Sequence, residues 1–419
     1  VYYDNAGLTF ERLMHTLLYS ARDGDEMFLR SVPQWVRQKL HLPALVRRYL
    51  HYDGPVLQDI HHRSHAASAF FPSPFAEAAI LTIDGVGEWA TASIGVGRGQ
   101  CLELRKELRF PHSLGLLYSA FTQFTGFKVN SGEYKMMGLA PYGRPLYVDV
   151  IRDNMLDLKD DGSIELNMEY FGYLSKASMV SEKFAELFDG PAREPESLLT
   201  RREMDIARSI QEITEEAILR MARHAHELTG MDNLCMAGGV ALNCVANGRL
   251  LREGPFEDIW IQPAAGDSGA ALGAALDAYH TYFGKPRQLS EHPRPQGGSF
   301  LGPAYSDEEI RSFLDSYAYP YRVLAPEERA SVIAEHLAEG RVIGHLSGRL
   351  EFGPRSLGSR SILGDPRNPE TQVTLNRKIK YRESFRPFAP AVLAEEVSEY
   401  FEIDRESPYM LLVAPVKKE

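Results

Sequence analysis

Two stretches of the chain pass from an apolar strand through a glycine turn into a helix. They are NLCMAGGVALNCVANGRLL, residues 233–251, and DIWIQPAAGDSGAALGAALDAY, residues 258–279. Upstream, AAILTID and EWATASIGVG have the composition and alternation of two strands joined by a turn. Strand–loop–helix units that follow a β-hairpin predict an α/β sheet with ligand-binding loops along one edge.

Composition and charge narrow the class of protein. A chain of 419 residues with 44% hydrophobic residues can bury a large core, and its length suggests two or three domains. The net charge of -11 argues against a wide nucleic-acid-binding surface. No apolar run approaches the ~20 residues that span a bilayer, and no signal peptide is visible. The three cysteines have no paired spacing, which is typical of a reducing compartment, so we expect a cytoplasmic protein. From the charge and the lack of a long apolar run, we expect neither nucleic-acid nor membrane partners.

The last third of the chain has a different character. A proline-rich stretch, FGKPRQLSEHPRPQGGSFLGPAY (residues 283–305), has the composition of a linker or a surface crossing. From Arg341 to Arg386, ten lysines and arginines face four acidic residues, which leaves an excess of six positive charges in an acidic protein. We therefore predict a first domain over residues 1–325 and a second over residues 326–419.

The segment HHRSHAASAFF places two histidines four residues apart. On a helix, His61 and His65 would share one face and could bind one metal ion, whereas His62 would point elsewhere. The residue after His61 is not glutamate, so the pattern of zinc proteases is excluded. From these residues alone, histidines that line or cap a helix without a metal are an equal alternative.

Two aspartates follow apolar strands at glycine turns. Asp84 ends AAILTID, and Asp267 follows DIWIQPAAG at the start of a predicted helix, where a plain helix cap is the alternative. Two imidazoles and two carboxylates suit a divalent ion such as iron, zinc or manganese, with an open position for substrate or phosphate. The pattern thus predicts one metal site built from two histidines and two aspartates.

The turns DGVGEWA and MAGGVALN place glycines where strands end. Backbone N–H groups at Gly85, Gly87, Gly238 and Gly239 could approach an anion, and a following helix adds a favourable dipole. Neither turn matches the P-loop or the dinucleotide fingerprint, and glycine turns are usually just turns. Several such turns on one edge, close to a metal pair, favour a nucleotide phosphate.

Taken together, five motifs resemble the O-carbamoyltransferases of the nodulation and antibiotic-tailoring type. They are HHRSHAASAFF, DGVGEW, NSGEYKMMGLAPYG, AGGVALN, and GRLEFGPRSLGSRSILGDPR with FRPFAP, and they span about residues 52–390. The resemblance implies an actin/Hsp70/sugar-kinase-like (Kae1-like) α/β domain followed by a YrdC-like α/β domain. The family's opening strand with its His-Asp phosphate turn and its C-terminal Asn-Thr-Ser-Phe-Asn run have no match, so we expect both ends to be truncated.

The resemblance also implies a two-step reaction. The YrdC-like domain makes carbamoyl adenylate from carbamoyl phosphate and ATP, with Mg²⁺ on the nucleotide, and the Kae1-like domain passes the carbamoyl group to a hydroxyl of a small-molecule acceptor. The metal, expected to be Fe(II) with zinc or manganese as alternatives, is bound by His61, His65, Asp84 and Asp267. The acceptor and the oligomeric state, with a homodimer as one candidate, stay open.

Further site residues follow from matching the motifs position by position. Nucleotide contacts in the Kae1-like domain are expected from Gly238, Gly239 and Asn243. The loop that resembles the acceptor and nucleotide side of that site holds Ser131, Gly132, Glu133 and Lys135, with Lys135 in a catalytic role and a structural turn as the alternative. His62 is a candidate general base for the acceptor hydroxyl, and a supporting or capping role has equal weight.

The segment GRLEFGPRSLGSRSILGDPR carries arginines broken by glycine and proline. Guanidinium groups on rigid turns suit multidentate phosphate binding, whereas charges on a solvated helix face would alternate regularly. We assign catalytic roles to Arg355 and Arg360, which would reduce the repulsion between carbamoyl phosphate and ATP. The expected anion contacts are Arg349, Arg367, Lys380 and Arg386. A surface ion-pair network with the four nearby acids is the alternative.

Three other functions fit parts of this pattern. A sugar kinase of the same fold class would use the glycine turns but would need neither the histidine pair nor the basic segment. A tRNA threonylcarbamoyl transferase has a related fold, but the acidic charge and the fused basic domain argue against it. A nucleotide-sensing scaffold with a structural metal would show no turnover.

Overall fold

The computed structural model describes residues 1–20, 25–289 and 294–418. Within these residues the chain forms two compact units. The first holds residues 1–20, 25–289 and 411–413, and the second holds residues 294–410 and 414–418. Both units contain helices and strands, which confirms the expected α/β class.

The first unit alternates helices with two sheets. Its helices are α1 (Ala6–Tyr19), α2 (Asp25–Arg37), α3 (Leu42–Leu50), α4 (His61–Phe70), α5 (Leu114–Phe124), α6 (Glu133–Leu139), α7 (Val148–Asn154), α8 (Glu182–Glu186), α9 (Arg201–Thr229), α10 (Cys244–Glu253) and α11 (Asp267–Asp277). Its strands are β1 (Glu77–Ile83), β2 (Ala90–Arg98), β3 (Cys101–Arg109), β4 (Leu156–Leu158), β5 (Ile164–Leu166), β6 (Asn233–Ala237) and β7 (Asp258–Ile261).

The main sheet has the order β3-β2-β1-β6-β7. β1 pairs antiparallel with β2 and parallel with β6, and β6 pairs parallel with β7. Every residue of β1 after Glu77 is buried, so both faces of this strand are covered. Because β1, β6 and β7 run in the same direction, the loops after them meet at one edge, as the sequence predicts.

Local sequence explains the longest helix. Thr200 and Glu203 form a capping box at the start of α9, and Gly230, in the left-handed conformation at φ 64°, ends the helix. The helix packs on β1 and β2, and its buried face carries the apolar residues that recur at helical spacing.

Small residues let α4 and α11 approach each other closely. Ala66, Ala67 and Ala69 of α4 are fully buried, and a Cβ at Gly273 of α11 would overlap the carbonyl oxygen of Ser64. The contact therefore depends on glycine at position 273. It sets the spacing between the helix that carries the histidines and the helix that begins with Asp267.

The second unit contains shorter elements. They are α12 (Asp307–Ser316), α13 (Pro326–Ala338), α14 (Thr371–Thr374), α15 (Val397–Tyr400), β8 (Ile343–Leu346) and β9 (Arg360–Leu363). β8 pairs antiparallel with β9, and a π-helical turn, Leu375–Ile379, follows α14.

The units divide before the predicted boundary at 325/326, which falls inside the second unit. The reason lies in the proline-rich stretch, whose later part is bound to the second unit through its backbone. Gly302 donates its N–H to the carbonyl of Leu350 at 2.9 Å, and Phe352 donates to the carbonyl of Ser299 at 2.7 Å. The part of that stretch at residues 290–293 lies outside the described residues. The Kae1-like and YrdC-like identities stay predictions.

Among the described helices, none combines the length and the apolar composition needed to cross a bilayer.

Gly273→Ala tests the packing of α4 on α11. Helix propensity alone would favour alanine by about 1 kcal/mol, so a loss of stability can arise only from the overlap with the backbone at Ser64. We expect the free energy of unfolding to fall by about 1–3 kcal/mol in urea denaturation. The control is Ala275→Leu, on the exposed side of α11, which should change stability by less than about 0.5 kcal/mol. A Gly273→Ala protein as stable as the wild type would contradict the packing account.

Candidate metal centre

His61 and His65 lie one turn apart on α4, as the four-residue spacing predicts. Both side chains are buried, and their Nε2 atoms are 3.1 Å apart. Two protonated nitrogens cannot face each other favourably at this distance. Either one Nε2–H donates to the other Nε2, or the lone pairs of both nitrogens face a shared cation.

Asp84 follows β1 directly and brings a carboxylate to the histidines. Its Oδ2 lies 2.9 Å from Nε2 of His61 and 3.3 Å from Nε2 of His65. Its Oδ1 accepts a hydrogen bond of 2.9 Å from the backbone N–H of Gly239 in the turn after β6. One oxygen is thus fixed by the sheet edge while the other faces the imidazoles.

Asp267, the first residue of α11, completes the cluster from the exposed side. Its Oδ1 lies 3.8 Å from Nε2 of His61 and 3.9 Å from Nε2 of His65. Tyr3 donates its hydroxyl to Oδ2 of Asp267 at 3.3 Å, and the Tyr3 ring lies 5.6 Å from the His61 ring. The candidate metal centre is hereafter the set His61, His65, Asp84 and Asp267.

The donor separations in the candidate metal centre fit a divalent ion. One donor atom from each residue lies within 4.8 Å of all the others. A metal held at about 2.0–2.2 Å by nitrogen and oxygen separates adjacent donors by roughly 3.0–3.5 Å. The separations between 2.9 and 3.9 Å around the two histidines bracket that range. The exposed side of Asp267 leaves a face open for substrate.

Electrostatics at the centre favour a positive charge. Burial raises the pKa of Asp84, but the hydrogen bonds from His61 and His65 outweigh it and leave this pKa well below its ordinary value. Burial lowers the pKa of His61, but the hydrogen bond and charge of Asp84 leave that pKa raised. The carboxylate is therefore ionised and stabilises a cation beside it.

His62, the candidate general base, is buried behind the candidate metal centre. It is 1% exposed, and its Nδ1 lies 2.7 Å from Oγ1 of Thr82, which is itself bonded to Ser93. Burial lowers the pKa of His62 to about 3. A neutral imidazole packed between α4 and the sheet lies away from solvent, which argues against the role of general base; that role stays a prediction. The alternative, a residue that supports the centre from behind, fits its contacts.

The glycine turns pack around the centre instead of opening toward an anion. Gly238 has φ 92°, and a Cβ there would overlap the carbonyl of Ile83. Gly239 uses its N–H on Asp84. Gly87 lies against the His61 ring, and the carbonyl of Gly85 accepts the Ser113 hydroxyl at 2.6 Å. Nucleotide binding by these four glycines stays a prediction, with the Gly239 N–H already engaged.

Asn243, an expected nucleotide contact, is buried in a side-chain pair. It exchanges two hydrogen bonds of 3.0 Å with the amide of Gln211, and its Oδ1 also accepts the Ala246 N–H at the start of α10. Its amide therefore caps a helix and joins α10 to α9. This geometry argues against a direct contact with nucleotide.

The loop at Ser131–Lys135 is organised by its own acid. Glu133 accepts N–H groups from Asn130 at 2.9 Å and Gly132 at 3.1 Å, and the Ser119 hydroxyl at 2.9 Å. Ser131 is exposed, and Nζ of Lys135 lies 5.9 Å from the centre of the Phe127 ring. These contacts match the structural-turn alternative for Glu133 and Gly132, while roles for Ser131 and Lys135 stay predictions.

In the second unit, three of the predicted anion-binding arginines are in ion pairs. Arg360 lies 3.0 Å from Glu351, Arg367 lies 2.8 Å from Asp365, and Arg386 lies 3.1 Å from Glu383. The ion-pair alternative therefore describes these residues. Glu351 in addition accepts backbone N–H groups from the loop at residues 357–360, so Arg360 contributes to the shape of that loop.

The remaining predicted basic residues of the second unit are Arg349, Lys380 and Arg355. Arg349 is exposed and donates to the carbonyl of Leu301 at 3.3 Å. Burial lowers the pKa of Lys380, and the charges of Arg382 and Arg386 lower it further. A lysine whose pKa is lowered by like charges marks a locally positive surface, which suits an anion. Arg355 is half-buried, and its role stays a prediction.

Sequence reasoning missed two residues that contact the candidate metal centre from distant parts of the chain. Tyr3 reaches Asp267 from the other end of the first unit, and Glu88 accepts the N–H of His61. Neither lies at a spacing that links it to the histidines in the sequence. The sequence signal for Glu88 is its place in the motif DGVGEW, four residues after Asp84.

Comparison with known proteins decides the family. A family model described as the carbamoyltransferase N-terminus matches residues 1–276, and one described as the carbamoyltransferase C-terminus matches residues 334–419. The chain belongs to the carbamoyltransferase family. The expectation of a carbamoyltransferase is thereby confirmed.

Relatives of the chain include proteins from cyanobacteria and rhizobia. It is 56% identical to the uncharacterized protein sll1178 of Synechocystis over its whole length, which covers 70% of that relative. It is 39% identical to nodulation protein NolNO of Sinorhizobium fredii and 37% identical to nodulation protein NolO of Bradyrhizobium diazoefficiens. In both cases 85% of this carbamoyltransferase matches, and it spans 51% and 63% of their lengths.

One solved structure, titled as HypF of T.kodakarensis, aligns over 59% of this chain and 39% of that one. The sequence identity is 15% and the TM-score is 0.29, which establishes no shared fold.

Glu351→Gln tests the loop of the second unit. Burial raises the pKa of Glu351, but the backbone N–H groups outweigh it and leave this pKa lowered. Removing the charge should weaken the loop by about 1–3 kcal/mol at pH 7, seen as hydrogen exchange of residues 351–363 that is roughly 5- to 150-fold faster. Because the folded pKa is depressed, the difference should shrink as the pH falls below the ordinary value of 4.5.

The exposed Glu370→Gln serves as the control for this prediction and should leave exchange in the same segment unchanged. Equal exchange in Glu351→Gln and wild type at pH 7 would contradict the role of Glu351.

Proposed function

We propose that this carbamoyltransferase uses ATP and carbamoyl phosphate to form carbamoyl adenylate and then transfers the carbamoyl group to a hydroxyl of a small-molecule acceptor. The membership of its family supports carbamoyl transfer. The observation that carries the proposal is the candidate metal centre, which joins the carboxyl edge of the sheet to α4. A sugar kinase has no need for such a cluster.

The proposed steps balance as follows. Water releases phosphate from carbamoyl phosphate, an oxygen of the resulting carbamate attacks the α-phosphorus of ATP, and pyrophosphate leaves. The acceptor oxygen then attacks the carbamoyl carbon, AMP departs with the electron pair of the broken C–O bond, and the hydroxyl proton passes to a base. The burial of His62 argues against its role as that base, which stays a prediction.

The residues of the candidate metal centre would hold the divalent metal, for which iron is the first proposal and zinc or manganese are alternatives. When bound, the metal would polarise the carbamoyl carbonyl or neutralise the adjoining phosphate. Asp84 contributes a fixed negative charge, and the buried histidines limit access of water from one side. Asp267, on the exposed side, would face the incoming substrate.

In the second unit, cations would bind the phosphates of the first step. Lys380 and Arg349 are exposed, and Arg355 lies in the loop shaped by Glu351. Fixed positive charges stabilise the charge that develops on a leaving phosphate. Arg360 pairs with Glu351 in this loop, and Mg²⁺ would accompany ATP.

The direct test is incubation of the 419-residue chain with ATP, Mg²⁺ and carbamoyl phosphate, followed by mass spectrometry. We expect carbamoyl adenylate and pyrophosphate, formed only when carbamoyl phosphate is present. ADP formed without carbamoyl phosphate would support a kinase instead and overturn the proposal.

Two variants separate the steps. His65→Ala should lose bound iron, from about one atom per chain in wild type to a small fraction by elemental analysis, while ATP–pyrophosphate exchange continues. Arg355→Ala should keep its iron and lower exchange about 10²-fold or more. Arg311→Ala, exposed on α12, is the control and should match wild type in both. Wild-type exchange in Arg355→Ala would refute the role of that arginine.

A further inference from the structure

Glu88 is a buried acid just outside the candidate metal centre. It follows the turn after β1 and precedes β2, and it is 3% exposed. A carboxylate in such a place is costly unless hydrogen bonds satisfy its oxygens. Its partners therefore indicate what it does.

The Glu88 side chain accepts two backbone N–H groups from separate segments, and it also lies beside the carboxyl group of Asp4. The N–H of His61 donates to both carboxylate oxygens, at 3.0 and 3.1 Å, and the N–H of Asn5 donates to Oε1 at 2.7 Å. α4 begins at His61, and Ile60 before it offers no side-chain cap. Glu88 thus caps the helix from another element.

The same short turn holds His61 at two points. Asp84, at the start of the turn, faces the His61 ring at 2.9 Å, and Glu88, four residues later, holds the His61 backbone. Gly87 between them lies against the His61 side chain. With backbone and ring both fixed to one turn, the direction of the Nε2 atom is defined.

The bond from Asn5 extends this arrangement to the opposite ligand. Asn5 also caps α1 with its own side chain, so the start of the chain is fixed there. Tyr3, two residues earlier, donates its hydroxyl to Asp267. The Glu88 carboxylate therefore joins the segment that reaches Asp267 to the helix that carries His61.

We infer that Glu88 is a positioning residue that preorganises the candidate metal centre by fixing the backbone of His61 and, through Asn5, the segment that carries Tyr3. The inference rests on the proposed metal binding. Groups that orient metal ligands in this indirect way typically contribute about 10- to 100-fold to affinity.

The test is titration of the metal-free 419-residue chain with Co²⁺, followed by its visible absorption. Glu88→Gln keeps an oxygen at the same reach, whereas Glu88→Asp keeps the charge but draws the acceptor back by one methylene. We expect Glu88→Asp and Glu88→Ala to weaken Co²⁺ binding about 10- to 100-fold and to change the absorption bands. Glu88→Gln should stay within about threefold of wild type, because an amide oxygen can accept the same N–H.

Thr200→Ala is the matched control, since it removes a cap from α9 and lowers stability without touching α4. Its Co²⁺ affinity should equal that of wild type. If Glu88→Asp bound Co²⁺ more tightly than Glu88→Gln, affinity would follow charge and the positional role would be overturned. Wild-type Co²⁺ affinity in Glu88→Asp would overturn it as well. Wild-type protein that binds no Co²⁺ would count against the proposed metal centre itself, which distinguishes the two failures.

Discussion

The arrangement of the first unit depends on how one carboxylate is shared. Asp84 gives one oxygen to the backbone of Gly239 and turns the other toward His61 and His65. The first bond joins the turn after β1 to the turn after β6, and the second joins the sheet to α4. A buried acid with two such partners is ionised, and its charge has no balance other than the imidazoles or a cation.

Sheet topology supplies the rest of the geometry. Parallel β1, β6 and β7 bring their following loops to one edge, where Asp84, Gly239 and Asp267 emerge. The close contact of α4 with α11 at Gly273 then sets how far Asp267 stands from the histidines. The geometry of the centre therefore depends on two conditions. The three strands must run parallel, and α4 and α11 must meet at a glycine that has no side chain.

Much of the candidate metal centre could be predicted from the sequence. The spacing of His61 and His65 defines one helix face, and strand endings at Asp84 and before Asp267 define one sheet edge. Periodicity and strand order therefore predict two pairs of ligands, histidines and aspartates. The identity of the family came from motifs that are specific only in combination. These features are local in sequence or follow from general rules of topology.

Some predicted site roles meet contacts that periodicity does not encode and that argue against them. His62 is a residue type that can act as a base, but it is buried against Thr82. Asn243 is hydrogen-bonded to Gln211, and Arg360 forms an ion pair with Glu351. Such pairings are decided by side-chain distances between distant segments. The compact units divide before residue 325 for a similar reason, since the proline-rich stretch is bound by backbone to residues that follow it.

Anomalous diffraction from crystals of the chain grown with Fe²⁺ would test the central claim most directly. The account predicts one iron peak at about 2.0–2.3 Å from the Nε2 atoms of His61 and His65 and from carboxylate oxygens of Asp84 and Asp267. An iron peak elsewhere, with the two imidazoles bonded only to Asp84, would contradict it.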